Sequence, residues 1–128
     1  MIHVVRLGTP RLANEGLRLG TVRRPPRGVR KRDFAKRDFY DVWVPDLAPS
    51  AALFAWIKSR PITEARWRTF ARRYAAEMRR PEASRLIALL AALSAQTDFS
   101  VGCYCEVESR CHRSLLRELL VEAGATLS

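Results

Sequence analysis

The sequence offers no apolar run that approaches the ~20 residues needed to cross a bilayer, so no membrane partner is expected. Its first residues, "MIHVVRLGTPRL", carry charge where a secretory leader would carry a long apolar stretch. Cysteine is scarce and odd in number, three in 128 residues, which argues against a closed disulfide framework and suits a reducing, cytoplasmic compartment. Acid is in deficit: 13 carboxylates stand against 23 basic residues, only three of them Lys, for a net charge of +10. That excess favours anionic partners, small or polymeric, although an arginine skew is also what GC-rich coding produces. Repeats, linkers and low-complexity stretches are absent, and the length suits one domain over residues 1–128.

What is present reads as an α/β chain. "IHVVRL" is short, apolar and β-branched, as a buried strand is, and "LRLGTVR" after the punctuated "GTPRLANEG" predicts a second. "RRPPRGVRK" ends regular structure, and Arg18 to Arg37 holds nine basic residues against one acid, Asp33, the densest positive stretch of the chain. Tyr40, Val42 and Val44 alternate as a short strand. Ser50 is placed to cap a helix running to Lys58, and Thr63 to cap the next, where Trp67, Phe70, Tyr74 and Met78 recur on one face. Asp46 is expected in a turn. Pro81 starts a third helix with Leu86, Ile87, Leu89, Leu90 and Leu93 as its buried stripe. "FSVGCY" is a strand, and Cys111 to about Ala123 a final helix that buries Leu115, Leu116, Leu119 and Leu120 and stops at Gly124. This order predicts a compact, three-layer-like α/β sandwich with a small, partly parallel sheet of three or four strands and about four helices. If the second and last strands are parallel, "RRPPRG" and "CEVESRCHR" meet at their carboxyl ends, where such folds collect ligands.

All three cysteines lie in "FSVGCYCEVESRCHRS". Alternation along a strand puts Cys103 and Cys105 on one face, and Cys103 reads as a small buried hydrophobe. Cys105 at the strand's end and Cys111 at the helix start are better placed for chemistry. A helix N-terminus and the neighbours Arg110, His112 and Arg113 favour a thiolate at Cys111. His112, on the first helical turn, reads equally well as a surface residue. Cys103, Cys105, Cys111 and His112 are four soft ligands, but the spacing argues against zinc. C-x-C on a regular strand holds its sulfurs rigidly, and adjacent Cys111 and His112 should diverge from a helix, so no metal and no cofactor is expected. A phosphatase-like loop would need five residues between cysteine and arginine; Cys105 and Arg110 are one short, and Glu106 and Glu108 would repel phosphate.

These segments carry a resemblance. "GLRLGTVRRPPRG", "DLAPS", the pattern Trp67, Phe70, Tyr74, Glu77, and "CYCEVESRCHRSLL" together resemble the domain of unknown function 488 (DUF488) family from Ile2 to about Ala123. The resemblance implies a compact cytoplasmic α/β protein and little about activity. Where such proteins often read Arg-Leu-Trp-Pro-Arg-Gly, Arg24 and Pro25 replace the Leu-Trp pair here, which would alter any pocket that the aromatic walls.

The functional expectation is a thiol-dependent enzyme acting on a small or nucleotide-like anion at the start of the C-terminal helix. Arg24, Arg27 and Arg113 are the candidate anion ligands, Cys105 or Cys111 the nucleophile, and Glu106 or His112 the proton carrier. The alternative is a nucleic-acid-binding module using the basic loop 23–37, for which no recognised motif speaks.

Overall fold

In a computed structural model describing residues 1–128, four strands and four α-helices alternate with three single turns of 3-10 helix. The strands are β1 (Ile2–Arg6), β2 (Leu17–Gly20), β3 (Val42–Trp43) and β4 (Phe99–Cys103). The helices are α1 (Ala51–Lys58), α2 (Glu64–Met78), α3 (Pro81–Leu93) and α4 (His112–Glu122). Every strand pair is parallel, in the order β1-β4-β2-β3, with Val4 opposite Val101 and Leu19 opposite the same residue on the other side. The sheet is therefore wholly parallel, and all four strands deliver their carboxyl ends to one edge.

Alternation decides what each face meets. Ile2, Phe99 and Val101 join one apolar cluster with Leu53 and Ile57 of α1, Phe70, Tyr74 and Met78 of α2, Ile87 and Leu90 of α3, and Leu116 and Leu120 of α4. All four helices thus share one side. The other side is closed by loops: the Tyr40 ring packs where a side chain at Gly20 would stand, 2.3 Å from an ideal Cβ, and Ser100 Oγ donates to Glu15 O at 3.0 Å. Arg18 fastens this irregular layer. Its buried guanidinium pairs with Glu15 and donates to the carbonyls of Thr9 and Asp38 at 2.8 and 2.6 Å, so it belongs to the interior and not to an exposed positive field.

The caps fall where the sequence places them. Ser50 Oγ accepts from Leu53 N–H at 3.2 Å and Thr63 Oγ1 from Arg66 N–H at 3.2 Å. Gly124, at φ +90°, ends α4. Trp67, Phe70 and Tyr74 stack in sequence, with ring centroids 5.3 and 6.3 Å apart. Four expectations shift. β2 stops at Gly20, because Thr21 turns to give both its N–H and its hydroxyl to Gly102 O at 3.1 and 3.0 Å. The strand after Tyr40 is only two residues long. The buried stripe of α3 keeps the expected Ile87 and Leu90 but completes itself with Ala83 and Ala91, leaving Leu89 and Leu93 exposed. Cys111 is the N-cap of α4 and lies outside it, with extended backbone at φ −119° and ψ 147°.

No helix is long and apolar enough to cross a membrane. The C-terminal residues pair with the start of the outer edge of β1: Ile2 N–H donates to Thr126 O at 2.8 Å and Ser128 N–H to Ile2 O at 3.0 Å.

Candidate functional site

The carboxyl ends of β1, β2 and β4 open into a cleft of about 650 Å³. β1 contributes Arg6; the loop after β2 contributes Val22, Arg23, Arg24, Pro25, Pro26 and Arg27; α1 contributes Phe54 and Lys58; β4 and its extension contribute Cys103, Tyr104, Cys105 and Glu106. The expected convergence of "RRPPRG" with "CEVESRCHR" is thus real, because β2 and β4 are parallel neighbours. Gly28 turns the chain just after the lining residue Arg27, and its φ of +71° is a conformation that side chains resist. Tyr104 pins the same loop by donating its hydroxyl to Arg24 O at 2.9 Å.

The charge in the cleft is lopsided. Arg6, Arg24, Arg27 and Lys58 stand against the single carboxylate of Glu106, which is exposed and pairs with Arg6 Nη2 at 3.5 Å. Arg23 is committed elsewhere, donating to the carbonyls of Pro49 and Pro45 at 2.9 and 3.1 Å and so tying the loop to the start of α1. Arg6 and Lys58 are cleft cations that sequence reading did not single out. The signal for Arg6 was its position at the carboxyl end of a parallel strand; Lys58 carries none, because only the packing of α1 brings it in.

The three thiols converge. Cys103 Sγ and Cys105 Sγ are 3.7 Å apart, on one side of the strand and its extension as alternation requires. Cys103 and Cys111 are buried, whereas Cys105 is half-buried and opens on the cleft. The hydrogen bond from Cys103, then that from Cys111, hold the Cys105 thiol below the ordinary cysteine range, with Lys58 contributing its charge, while the bonds to Cys105 push Cys103 and Cys111 up.

His112 is buried, not on the surface. Its Nε2–H donates to Thr21 O at 2.6 Å and burial lowers its pKa, so the ring is neutral with the Nδ1 lone pair free. That lone pair lies 3.8 Å from Cys111 Sγ. The expectation that Cys111 and His112 diverge is therefore overturned: Cys111 precedes the helix in extended backbone, so the angular step between successive helical residues does not apply to the pair. Cys103, Cys111 and His112 place their ligand atoms within 4.8 Å of one another.

Arg113 does not line the cleft. It is buried beside the first turn of α4, and its Nη2 donates to Cys105 O at 2.8 Å, so it sets the path of the chain after β4. Of the residues singled out from sequence, Arg24, Arg27, Cys105, Glu106 and His112 share the cleft, while Cys111 and Arg113 lie behind it.

Among known protein families, the model of DUF488-N3a, described as the active DUF488-N3 subclade, matches residues 2–124. No curated protein and no solved structure matches the chain.

Proposed function

The chain belongs to the DUF488 family, in its active N3 subclade, and from that premise we propose that it is a thiol-dependent enzyme acting on a small or nucleotide-like anion. One observation carries the reading: Cys105, the more exposed of the two thiols that line the cleft, faces four cations, Arg6, Arg24, Arg27 and Lys58, and a single carboxylate. The description of the subclade as active supports an enzyme over a binding module. Cationic walls draw the anion in and fix it, and the cleft is large enough for a nucleotide-sized group.

Burial supports a division of roles within this reading. Cys105 is the nucleophile, since Cys111 is 2% exposed and sits behind it. Glu106 carries the proton, because the Nε2–H of His112 is spent on Thr21 and its other nitrogen faces Cys111. Arg24, Arg27, Arg6 and Lys58 bind the anion, and Arg113 positions Cys105 through its carbonyl. Alkylation tests this with reagents of opposite character. Iodoacetate, an anion, should modify Cys105 at least ~10-fold faster relative to neutral iodoacetamide than it does a free thiol peptide, and phosphate or a nucleoside monophosphate should protect it. A Cys105 that shows no preference for the anionic reagent and no protection sinks the reading.

A second reading, nucleic-acid binding through loop 23–37, draws support from the exposure of Arg24, Arg27, Arg30, Lys31 and Arg32 and from a groove of about 380 Å³ that Lys31 and Arg32 share with Phe34 and Trp43. Stacking on an exposed aromatic between cations suits single strands. Affinity for an oligonucleotide should then fall steeply with salt and survive Cys105→Ser; weak binding at low salt removes this reading.

A further inference from the structure

We propose that Cys103, Cys105, Cys111 and His112 form a tetrahedral site for a borderline-soft divalent cation of the zinc class, at the floor of the cleft. The geometry is the argument. For a metal–sulfur bond of about 2.3 Å, two sulfurs of a tetrahedral site stand about 3.8 Å apart, and a sulfur and an imidazole nitrogen slightly less. Cys103 Sγ and Cys105 Sγ are 3.7 Å apart, and Cys111 Sγ and His112 Nδ1 are 3.8 Å apart. Cys103, Cys111 and His112 all fall within 4.8 Å of one another; Cys105 stands outside that group and joins it through Cys103, so its side chain must swing inward to complete the set on an ion.

Three further features fit a metal better than three idle thiols. The imidazole is held from outside in the tautomer that a ligand requires: Nε2–H to the Thr21 carbonyl at 2.6 Å, Nδ1 pointing inward. The shell is dry on the protein side, with Leu7, Val22 and Tyr40 packed around Cys103 and Cys111 and the Tyr74 ring 5.7 Å from that of His112. The charge balances, since three thiolates and a dication leave one negative charge, and Arg113 and Lys58 lie nearby. Three sulfurs and one imidazole nitrogen select zinc over magnesium or calcium, which take oxygen. Binding releases the thiol protons to solvent, with no change of oxidation state.

The site shares Cys105 with the proposed enzyme but does not rest on catalysis. A metal-bound Cys105 stays a thiolate facing the cleft, so the two readings are compatible and fail separately. The experiment adds Co²⁺ to full-length protein freed of metal by chelator under reductant. One equivalent should give sulfur-to-cobalt charge transfer with intense tetrahedral d–d bands, and one equivalent of Zn²⁺ should abolish them. Cys111→Ser and His112→Asn should each weaken Co²⁺ binding by ~10-fold or more, with folding checked by circular dichroism. The wild-type spectrum alone is decisive where a variant does not fold. Only the weak bands of octahedral Co²⁺, or a pair of cysteines isolated as a disulfide, overturns the metal site. Loss of the iodoacetate preference in a chain that still binds Co²⁺ overturns the enzyme reading instead.

Discussion

The guanidinium of Arg113, buried at the first turn of α4, donates through Nη2 to the carbonyl oxygen of Cys105 at 2.8 Å, and so couples the terminal helix to the thiol that faces the cleft. An arginine in a Cys-His-Arg sequence beside a cationic cleft invites the role of anion ligand, yet this one points into the protein. Its removal should therefore act on stability and on the placement of Cys105 before it acts on charge. Arg113→Ala should cost about 1–3 kcal/mol, since it leaves a carbonyl without its donor. Urea unfolding measures that. Calorimetric titration with phosphate should show a smaller loss of affinity than Arg27→Ala causes; an equal loss at unchanged stability would make Arg113 a direct ligand.

Glu106 is the one carboxylate in the cleft, and it occupies Arg6. Glu106→Gln should release that arginine and tighten phosphate binding about 2- to 5-fold at low ionic strength, the scale of an exposed ion pair. The gain should vanish near 1 M salt, where screening extends only ~3 Å. The same substitution should slow any turnover in which Glu106 carries a proton, so tighter binding and slower chemistry are expected together. A variant with neither change would remove Glu106 from the site.

Glu77 on α2 accepts from both the amide and the hydroxyl of Ser50, at 2.8 and 2.5 Å, while that hydroxyl accepts from Leu53 N–H. The carboxylate thus fixes the N-cap of α1, the helix that carries Lys58 and Phe54 into the cleft. Glu77→Ala should cost about 1–3 kcal/mol through the unpaired cap. It should also loosen the cleft, seen as weaker phosphate binding, whereas Glu77→Gln should keep most of both. Thermal and urea unfolding of the two variants, compared with their phosphate affinities, separates a packing effect from this one.

Much of this was legible in the residues. Ser50, Thr63 and Gly124 mark helix ends by local chemistry alone, and the Phe70, Tyr74, Met78 row needs only the helical period. The meeting of "RRPPRG" with the cysteine segment followed once two strands were taken as parallel. Other features depend on contacts between residues distant in sequence. Glu15 is a local partner for Arg18, but the burial of the pair depends also on the carbonyls of Thr9 and Asp38, which only the fold brings together. The α3 stripe holds at Ile87 and Leu90 but takes in Ala83 and Ala91 in place of Leu89 and Leu93, since leucines occupy both candidate faces. The Cys111 and His112 pair was misjudged for a finer reason: the helix boundary falls between them, and a shift of one residue converts diverging side chains into converging ones.

Acid should weaken the loop layer that backs the sheet. Burial raises the carboxyl pKa of Glu15, but the hydrogen bonds from Arg18 and from Leu12 N–H at 2.9 Å outweigh it, so the net shift is downward. Asp41 behaves alike: burial opposes, while Arg11 at 2.7 Å and Arg18 N–H at 2.8 Å prevail. A folded pKa below the unfolded value, about 3.9 for Asp and 4.3 for Glu, makes the contribution complete above that value and lost as pH falls through the folded one. Urea midpoints should therefore hold between pH 8 and 5 as far as these groups decide, then drop below about pH 4, each group adding a slope of up to about 1.4 kcal/mol per pH unit. Asp41→Asn is the discriminating variant, because the amide retains an acceptor for Arg18 N–H but cannot titrate. It should be less stable than the parent at pH 7 and lose less on going to pH 3. Parallel losses in the two chains would show that acid sensitivity arises elsewhere.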